Sequence, residues 1–355
     1  VRIDLLSSTP PSAVEGSGTF VALDGLARGL TALGHKVSLR PLQRRTRFHT
    51  FDRWLYNAAA VVAPPRGDLV IGVDLDGFLW ARWRRGGASP RFVAAPKGVI
   101  GDELRNERGW VRALLTVQAR WERENLRRAD RVIVTSRYCA DVVGRLYGIG
   151  SARIAVVPEP VDLAGWSRHF AEAPRRPRAR PTVLAVARMY PRKRLCDLLD
   201  AGAQLRARIP EIEIRIVGEG PEGARLRGQR TRMGLETTVT LLGDVSRPQL
   251  AAEYVNADCF CLPSVQEGFG IAFTEAMAAG LPVVACRAAA VPEVVRDGVT
   301  GVLVPPRSPG DLARAVEWLL SHEGRRKDMG EAGRRSVREY DLEPVAQRFL
   351  DACAR

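Results

Sequence analysis

Short apolar segments alternate with helical stretches along this chain, and the alternation breaks once and then starts again. Strands separated by helices imply βαβ units and a parallel sheet, because a parallel neighbour is reached only through a long crossover. In the first half, residues 2–6 read as a strand, 7–17 as a loop and 20–33 as an amphipathic helix ended by Gly34. Further strands are expected at 36–40, 69–73, 92–95, 131–135 and 154–157, with a long helix over 110–128. The stretch 172–181 (EAPRRPRARP) interrupts this rhythm with prolines among arginines and reads as an exposed linker. The pattern then resumes, with strands at 182–187, 212–217, 239–242, 259–262 and 282–285. Helices are expected between them at 195–208, 223–233, 248–256 and 273–280. The expected fold is α/β: two Rossmann-like, doubly wound domains, 1–172 and 182–339, around the linker 173–181 and an interdomain cleft. Ligands of such sheets sit beyond the carboxyl ends of the strands.

The bulk numbers agree with two domains: 355 residues, 46% hydrophobic, exceed one comfortable core. No apolar run reaches the roughly 18 residues of a membrane span. The longest, residues 58–63, stops at Pro64-Pro65. Residues 1–6 read as a strand rather than a signal peptide, so the cytoplasm is the expected compartment. Cysteines 139, 196, 259, 261, 286 and 353 form no Cys-x-x-Cys pair and no zinc-ligand spacing, and are expected to be structural thiols. Lys and Arg total 54 against 40 Asp and Glu, a net +14. Residues 1–175 hold 27 basic and 17 acidic side chains (+10), and 176–355 hold 27 and 23 (+4). An anionic membrane, nucleic acid, an anionic small substrate or simply a solvated arginine-rich surface would each suit this excess. The segment 40–53 (RPLQRRTRFHTFDR) mixes cations with Phe48 and Phe51, and reads as an anionic-membrane contact or as a mobile acceptor loop. No nucleic-acid motif accompanies the charge, so nucleic acid is not an expected partner.

Two groups of residues bear on chemistry. Gly218-Glu219-Gly220-Pro221-Glu222-Gly223 fits Gly-x-Gly-x-x-Gly after a strand, with Asp244 following, and by itself would suggest a dinucleotide-dependent oxidoreductase or epimerase. It lies in the second βα unit of its domain, however, and Pro221 alters its turn, so a tight strand-to-helix turn fits better. The denser group is 263–276. Glu267 lies in a Gly-rich loop after a strand, and Glu275 opens the next helix. Gly268 and Gly270 let amides approach a ligand, and two carboxylates can accept from the hydroxyls of a sugar and a ribose. Upstream, Arg188 and Lys193 stand five apart at a strand's carboxyl end, where a guanidinium and an ammonium can neutralise a diphosphate without a metal. Asp74-Leu75-Asp76 has the letters of a metal motif, but follows a strand of the other domain.

In order and spacing these residues resemble the retaining glycosyltransferases of the GT-B fold, in the large family-4 group related to glycogen synthase. The likeness comprises Arg188-x4-Lys193, the Val217–Pro221 turn, Leu242-Gly243-Asp244, Glu267-x7-Glu275, 279–284 (AGLPVV) and Pro292-Glu293. The first half adds Glu15-Gly16-Ser17-Gly18, 33–37 (LGHKV), 129–136 (ADRVIVTS) and Pro160-Val161-Asp162. The resemblance implies that Arg188 and Lys193 hold the donor diphosphate and that Glu267, with the amides of Gly268, Phe269, Gly270 and Ile271, meets the donor sugar. It implies Glu275 on the ribose, Gly218, Gly243 and Val245 about the nucleotide, and Gly16 and Gly18 facing the donor phosphate or the acceptor. Asp76 and Lys97 would lie on the acceptor side, Lys97 standing where members often carry a histidine. Ala289-Ala290 stands where Gly-Gly is usual, and 340–355 would form a helix crossing back to the first domain. The implied partners are a UDP- or GDP-sugar and a hydroxyl acceptor, with no metal or other cofactor. The implied mechanism is front-face attack with retention, in which the departing diphosphate helps to deprotonate the acceptor.

Overall fold

A computed structural model describes residues 1–10, 17–42, 49–84, 90–177 and 180–354. It divides into two compact units, Val1–Pro160 with Tyr340–Arg355, and Val161–Glu339. The first contains strands β1 Arg2–Ser7, β2 Lys36–Pro41, β3 Leu69–Val73, β4 Arg91–Ala95, β5 Arg131–Val134 and β6 Ile154–Val156, in the order β2-β1-β3-β4-β5-β6. The second contains β7 Thr182–Val186, β8 Glu213–Val217, β9 Val239–Gly243, β10 Cys259–Leu262, β11 Val283–Cys286 and β12 Gly301–Val304, in the order β12-β11-β10-β7-β8-β9. Neighbouring strands pair in parallel throughout both sheets. The short strand β12 was not anticipated, because four residues give too little period to read.

Alternate residues explain why the strands are apolar on both faces. Ile3, Leu5, Ile71 and Val93 enter one core with the helix Ser17–Ala32, whereas Leu6, Val70, Phe92 and Ala94 enter another on the opposite face. A sheet covered on both sides needs apolar side chains at every position. The helix Leu342–Ala354 completes the first of these cores with Val345, Ala346 and Phe349.

The division between the units falls at Pro160, before the expected domain end at 172. The helix Leu163–Glu172 belongs to the second unit because Trp166 stacks on Phe170 and meets Tyr254 edge-on. The arginines expected to form an exposed linker are also engaged there. Arg175 donates to the Val255 carbonyl, and Arg176 pairs with Glu253 at 2.7 Å. Those partners lie at the carboxyl end of the helix Arg247–Val255, whose partial negative charge favours cations. All six cysteines are free and buried. Among the described residues no helix is long and apolar enough to cross a membrane.

One buried acid in the first unit sets a pH dependence. Glu122 is 0% exposed and accepts from the Tyr147 hydroxyl and the Ile100 amide, while its second oxygen has no partner. Burial is the main reason its pKa is pushed up to about 8. The folded chain therefore keeps this proton between the ordinary carboxyl range and about pH 8, where the unfolded chain has lost it. Stability must fall as pH rises through that window. Glu122→Gln, which mimics the protonated acid, should flatten the decline in urea-unfolding free energy; equal slopes for parent and variant would refute the assignment.

Candidate active site

The order of the second sheet reverses at β7, which lies between β10 and β8. A crevice opens at such a reversal, and the loops leaving adjacent strands diverge around it. The loop after β7 carries Arg188 and Lys193, and the loop after β10 carries Glu267. The two loops are tied together: the Val265 amide donates to the Arg192 carbonyl at 2.9 Å, and the Ser264 hydroxyl to the same oxygen at 3.3 Å. Lys193 Nζ then lies 2.6 Å from Glu267 Oε1, with the two side chains only 14% and 8% exposed. Neither charge would be stable alone at that depth, so each is the other's counter-ion. Arg188 is more open and reaches Asp244 at 3.2 Å. Each cation thus faces an acid, and an incoming diphosphate would compete with a carboxylate for both.

Glu275 lies in the helix Ile271–Ala278 and is 7% exposed. The Tyr254 hydroxyl donates to its Oε2 at 3.0 Å, and Trp166 also hydrogen-bonds it. Burial pushes its pKa up to about 7, while the Tyr254 hydrogen bond and the nearby Arg247 guanidinium act in the opposite direction. Arg247 lies over the Trp166 ring at 4.7 Å. An ionised carboxylate accepts at about four lone-pair sites, so two donors leave room for a diol. Trp166, Tyr254 and Arg247 were not anticipated as part of this neighbourhood. Trp166 precedes the expected linker, and no local spacing connects it to Glu275.

The Gly-rich turn serves its own backbone. Gly218 has φ +119°, and a Cβ there would lie 2.2 Å from the Ala187 carbonyl oxygen. Its amide donates to the Gly243 carbonyl at 2.8 Å, and the Met189 amide donates to Glu219 O at 3.0 Å. The close approach that a dinucleotide would require is filled by residues 187–189. The turn thereby joins the ends of β8 and β9 to the segment bearing Arg188. Val245 follows Asp244 in the short loop before Ser246, which caps the helix Arg247–Val255. Gly268, Phe269 and Gly270 lead into the helix Ile271–Ala278. Phe269 as a whole is buried, at 5% exposure.

Ala289 adopts φ +49°, a left-handed conformation costly for a residue with a Cβ. It adjoins Ala290, whose amide approaches the Glu267 carbonyl at 3.4 Å. Replacing Ala289 by glycine removes about 1–2 kcal/mol of strain and returns about 0.4–1 kcal/mol of unfolded-state entropy. A net gain of roughly 0.5–1 kcal/mol is expected, seen as a higher melting temperature; a lower one would contradict the strain.

In the first unit the order reverses at β1 and β3, where Asp76 is held. Ser8 donates to Asp76 Oδ2 from its amide at 2.5 Å and its hydroxyl at 2.8 Å, and Asn57 donates to Oδ1 at 2.9 Å. Burial pushes the Asp76 pKa up to about 6. Lys97 is paired with Glu159 at 2.8 Å, both nearly buried, and its amide donates to Asp74 at 3.0 Å. Arg53 lies 3.7 Å from Asp74. These carboxylates and Lys97 therefore fix the carboxyl ends of β1, β3, β4 and β6 to one another. Gly18 sits in the first turn of the helix Ser17–Ala32 rather than in a loop, because that helix begins earlier than residue 20. Gly16 lies outside the described residues.

Comparison with known proteins adds the following. The model of glycosyl transferases group 1 matches residues 168–336, and that of glycosyltransferase family 4 matches residues 40–164. A D-inositol 3-phosphate glycosyltransferase from Catenulispora acidiphila is 34% identical over 241 residues, 64% of this chain and 56% of that one. A GDP-mannose-dependent alpha-(1-6)-phosphatidylinositol monomannoside mannosyltransferase from Mycobacterium tuberculosis is 33% identical over 290 residues, 75% of this chain and 74% of that one. Several of the curated relatives are therefore matched over only about half their length. The crystal structure of Anabaena HepE with UDP and glucose superposes with a TM-score of 0.74 over 99% of both chains, at 21% identity. That likeness concerns the fold, which is GT-B.

Proposed function

Because the chain belongs to the family-4 glycosyltransferases, we propose that it moves a sugar from a nucleoside-diphosphate donor to a hydroxyl acceptor with retention at the anomeric carbon. The observation that carries this reading is the convergence of Arg188, Lys193 and Glu267 where the second sheet reverses its order. Arg188 and Lys193 hold the two phosphates and stabilise the charge that grows on the leaving group. Stabilisation aimed at developing charge acts chiefly on turnover. Glu267 exchanges its contact with Lys193 for hydroxyls of the donor sugar, assisted by amides from Gly268 to Ile271. Glu275 receives the ribose diol, and the Gly243–Val245 loop lies beside the base. Both acids are thereby committed to binding, so the acceptor attacks from the face that the diphosphate leaves, and the diphosphate takes its proton. The two cations meet the diphosphate charge, and the reaction proceeds without a metal.

The donor is a UDP- or GDP-sugar; the relative from M. tuberculosis is named for GDP-mannose, and the Anabaena structure holds UDP. The acceptor is a hydroxyl of a glycan, a glycolipid or a small natural product, and Asp76 and Lys97 act on its side by fixing the strand ends. Six buried thiols suit a reducing compartment such as the cytoplasm, and the basic first half suits peripheral association with an anionic membrane. Calorimetric titration with UDP, GDP and NADH tests the reading. A nucleoside diphosphate should bind and lose affinity in Arg188→Ala; binding of NADH alone would sink it.

A further inference from the structure

The helix His49–Val62 has an unusual polarity. Its inward face carries Asp52, Tyr56 and Asn57, all at most 9% exposed. Its outward face carries Phe51 (50% exposed), Trp54 (42%), Leu55 (41%) and Val62 (87%), with Ala58 between them. Their spacing places all five on one side of a helix. A surface helix ordinarily turns its polar residues outward; this one presents a continuous apolar stripe, with Phe51 and Trp54 stacked at 6.3 Å.

A second helix extends the surface. Gln118, within the helix Gly109–Arg128, donates to the Thr50 hydroxyl at 2.7 Å and accepts from Arg53 at 3.1 Å. That helix exposes Trp110 (75%) and Val111 (51%) in its first turn, and Arg112, Arg120, Arg123 and Arg127 along its length. The acids of the two helices do not offset these arginines at the surface. Asp52 and Glu122 are buried, and Glu124 is ion-paired with Arg128. The outward face is therefore apolar and cationic together.

We propose that the outer faces of these two helices dock on an anionic membrane surface, with the stripe seated among acyl chains and the arginines on lipid phosphates. Aromatic residues at the headgroup level and cations toward anionic lipid are the two attractions such a surface uses. A second copy of the chain fits less well, because a two-fold pairing would set the arginine-rich face against itself. The inward side of the same helix holds the carboxyl end of β3 through Arg53 on Asp74 and Asn57 on Asp76. One helix diameter, about 10 Å, thus separates the docked surface from those carboxylates. This gives the peripheral association proposed above a definite surface, and it does not depend on the identity of the donor.

Vesicle co-sedimentation of the full chain decides it, with mixed phosphatidylglycerol–phosphatidylcholine vesicles against phosphatidylcholine alone. Binding should require the anionic lipid, weaken with salt, and fall about tenfold or more in the triple variant F51S/W54S/L55S. UDP affinity, which belongs to the second unit, should stay unchanged in that variant, and a circular-dichroism melt matching the parent's should report that the first unit is folded. Equal sedimentation of parent and variant would overturn the proposal, as would equal binding to neutral vesicles. Self-association that the variant abolishes, without vesicle binding, would overturn it too and assign the stripe to a second copy. Loss of UDP binding in parent and variant alike would strike the donor reading and leave the surface standing.

Discussion

Replacing Lys193 by alanine should lower turnover by about 10²–10³-fold, the scale of removing one preorganised charge stabiliser. The effect should fall mainly on kcat, since the ammonium matters most when charge builds on the departing diphosphate. The same change strands Glu267, whose partner at 2.6 Å disappears while its side chain remains 8% exposed. Breaking such a buried pair costs about 3–5 kcal/mol, so a poorly folded protein could imitate a catalytic defect. The double variant K193A/E267Q reads the folding part alone, because it removes both charges together while also taking Glu267 from the donor sugar. Its melting temperature should recover toward that of the parent, and its turnover should not. Steady-state rates within about threefold of the parent, in a folded K193A protein, would remove Lys193 from the chemistry.

Gly218→Ala should be the most damaging single methyl in the second unit's Gly-rich turn. The position combines φ +119° with a Cβ site 2.2 Å from the Ala187 carbonyl oxygen, and that neighbour is backbone. Strain in that conformation together with overpacking costs roughly 3 kcal/mol. For a unit of this size the melting temperature should drop by about 6–12 °C. Relief of the clash must push the segment Ala187–Met189, so nucleoside-diphosphate affinity should weaken with stability. Differential scanning calorimetry and UDP titration on the same sample test both. A variant with unchanged melting temperature would mean that the turn is not packed against residues 187–189.

Much of the fold was legible because its signals are local. A strand buried on both faces is apolar at successive positions, and the crossover helices repeat every three to four residues; both patterns involve only near neighbours. Departures arose where that signal is weak or ambiguous. β12 is four residues long, and the start of the helix His49–Val62 falls within the segment 40–53, read as a membrane contact or a mobile acceptor loop. The helix Leu163–Glu172 has no sequence mark that assigns it to one unit; the packing of Trp166 on Tyr254 does so.

The sequence alone determined which groups follow the carboxyl ends of strands: Arg188, Lys193 and Glu267 were placed there by position, and Glu275 in the helix that comes next. Which group each of them meets was decided only by the tertiary structure. Lys193 and Glu267 are 74 residues apart, Arg188 and Asp244 are 56, and Lys97 and Glu159 are 62. Glu275 and Tyr254, 21 residues apart, lie on different helices. Such pairs depend on the order in which strands join a sheet, and that order is fixed by how the crossovers bury both faces at once, which is a property of the whole chain rather than of any segment.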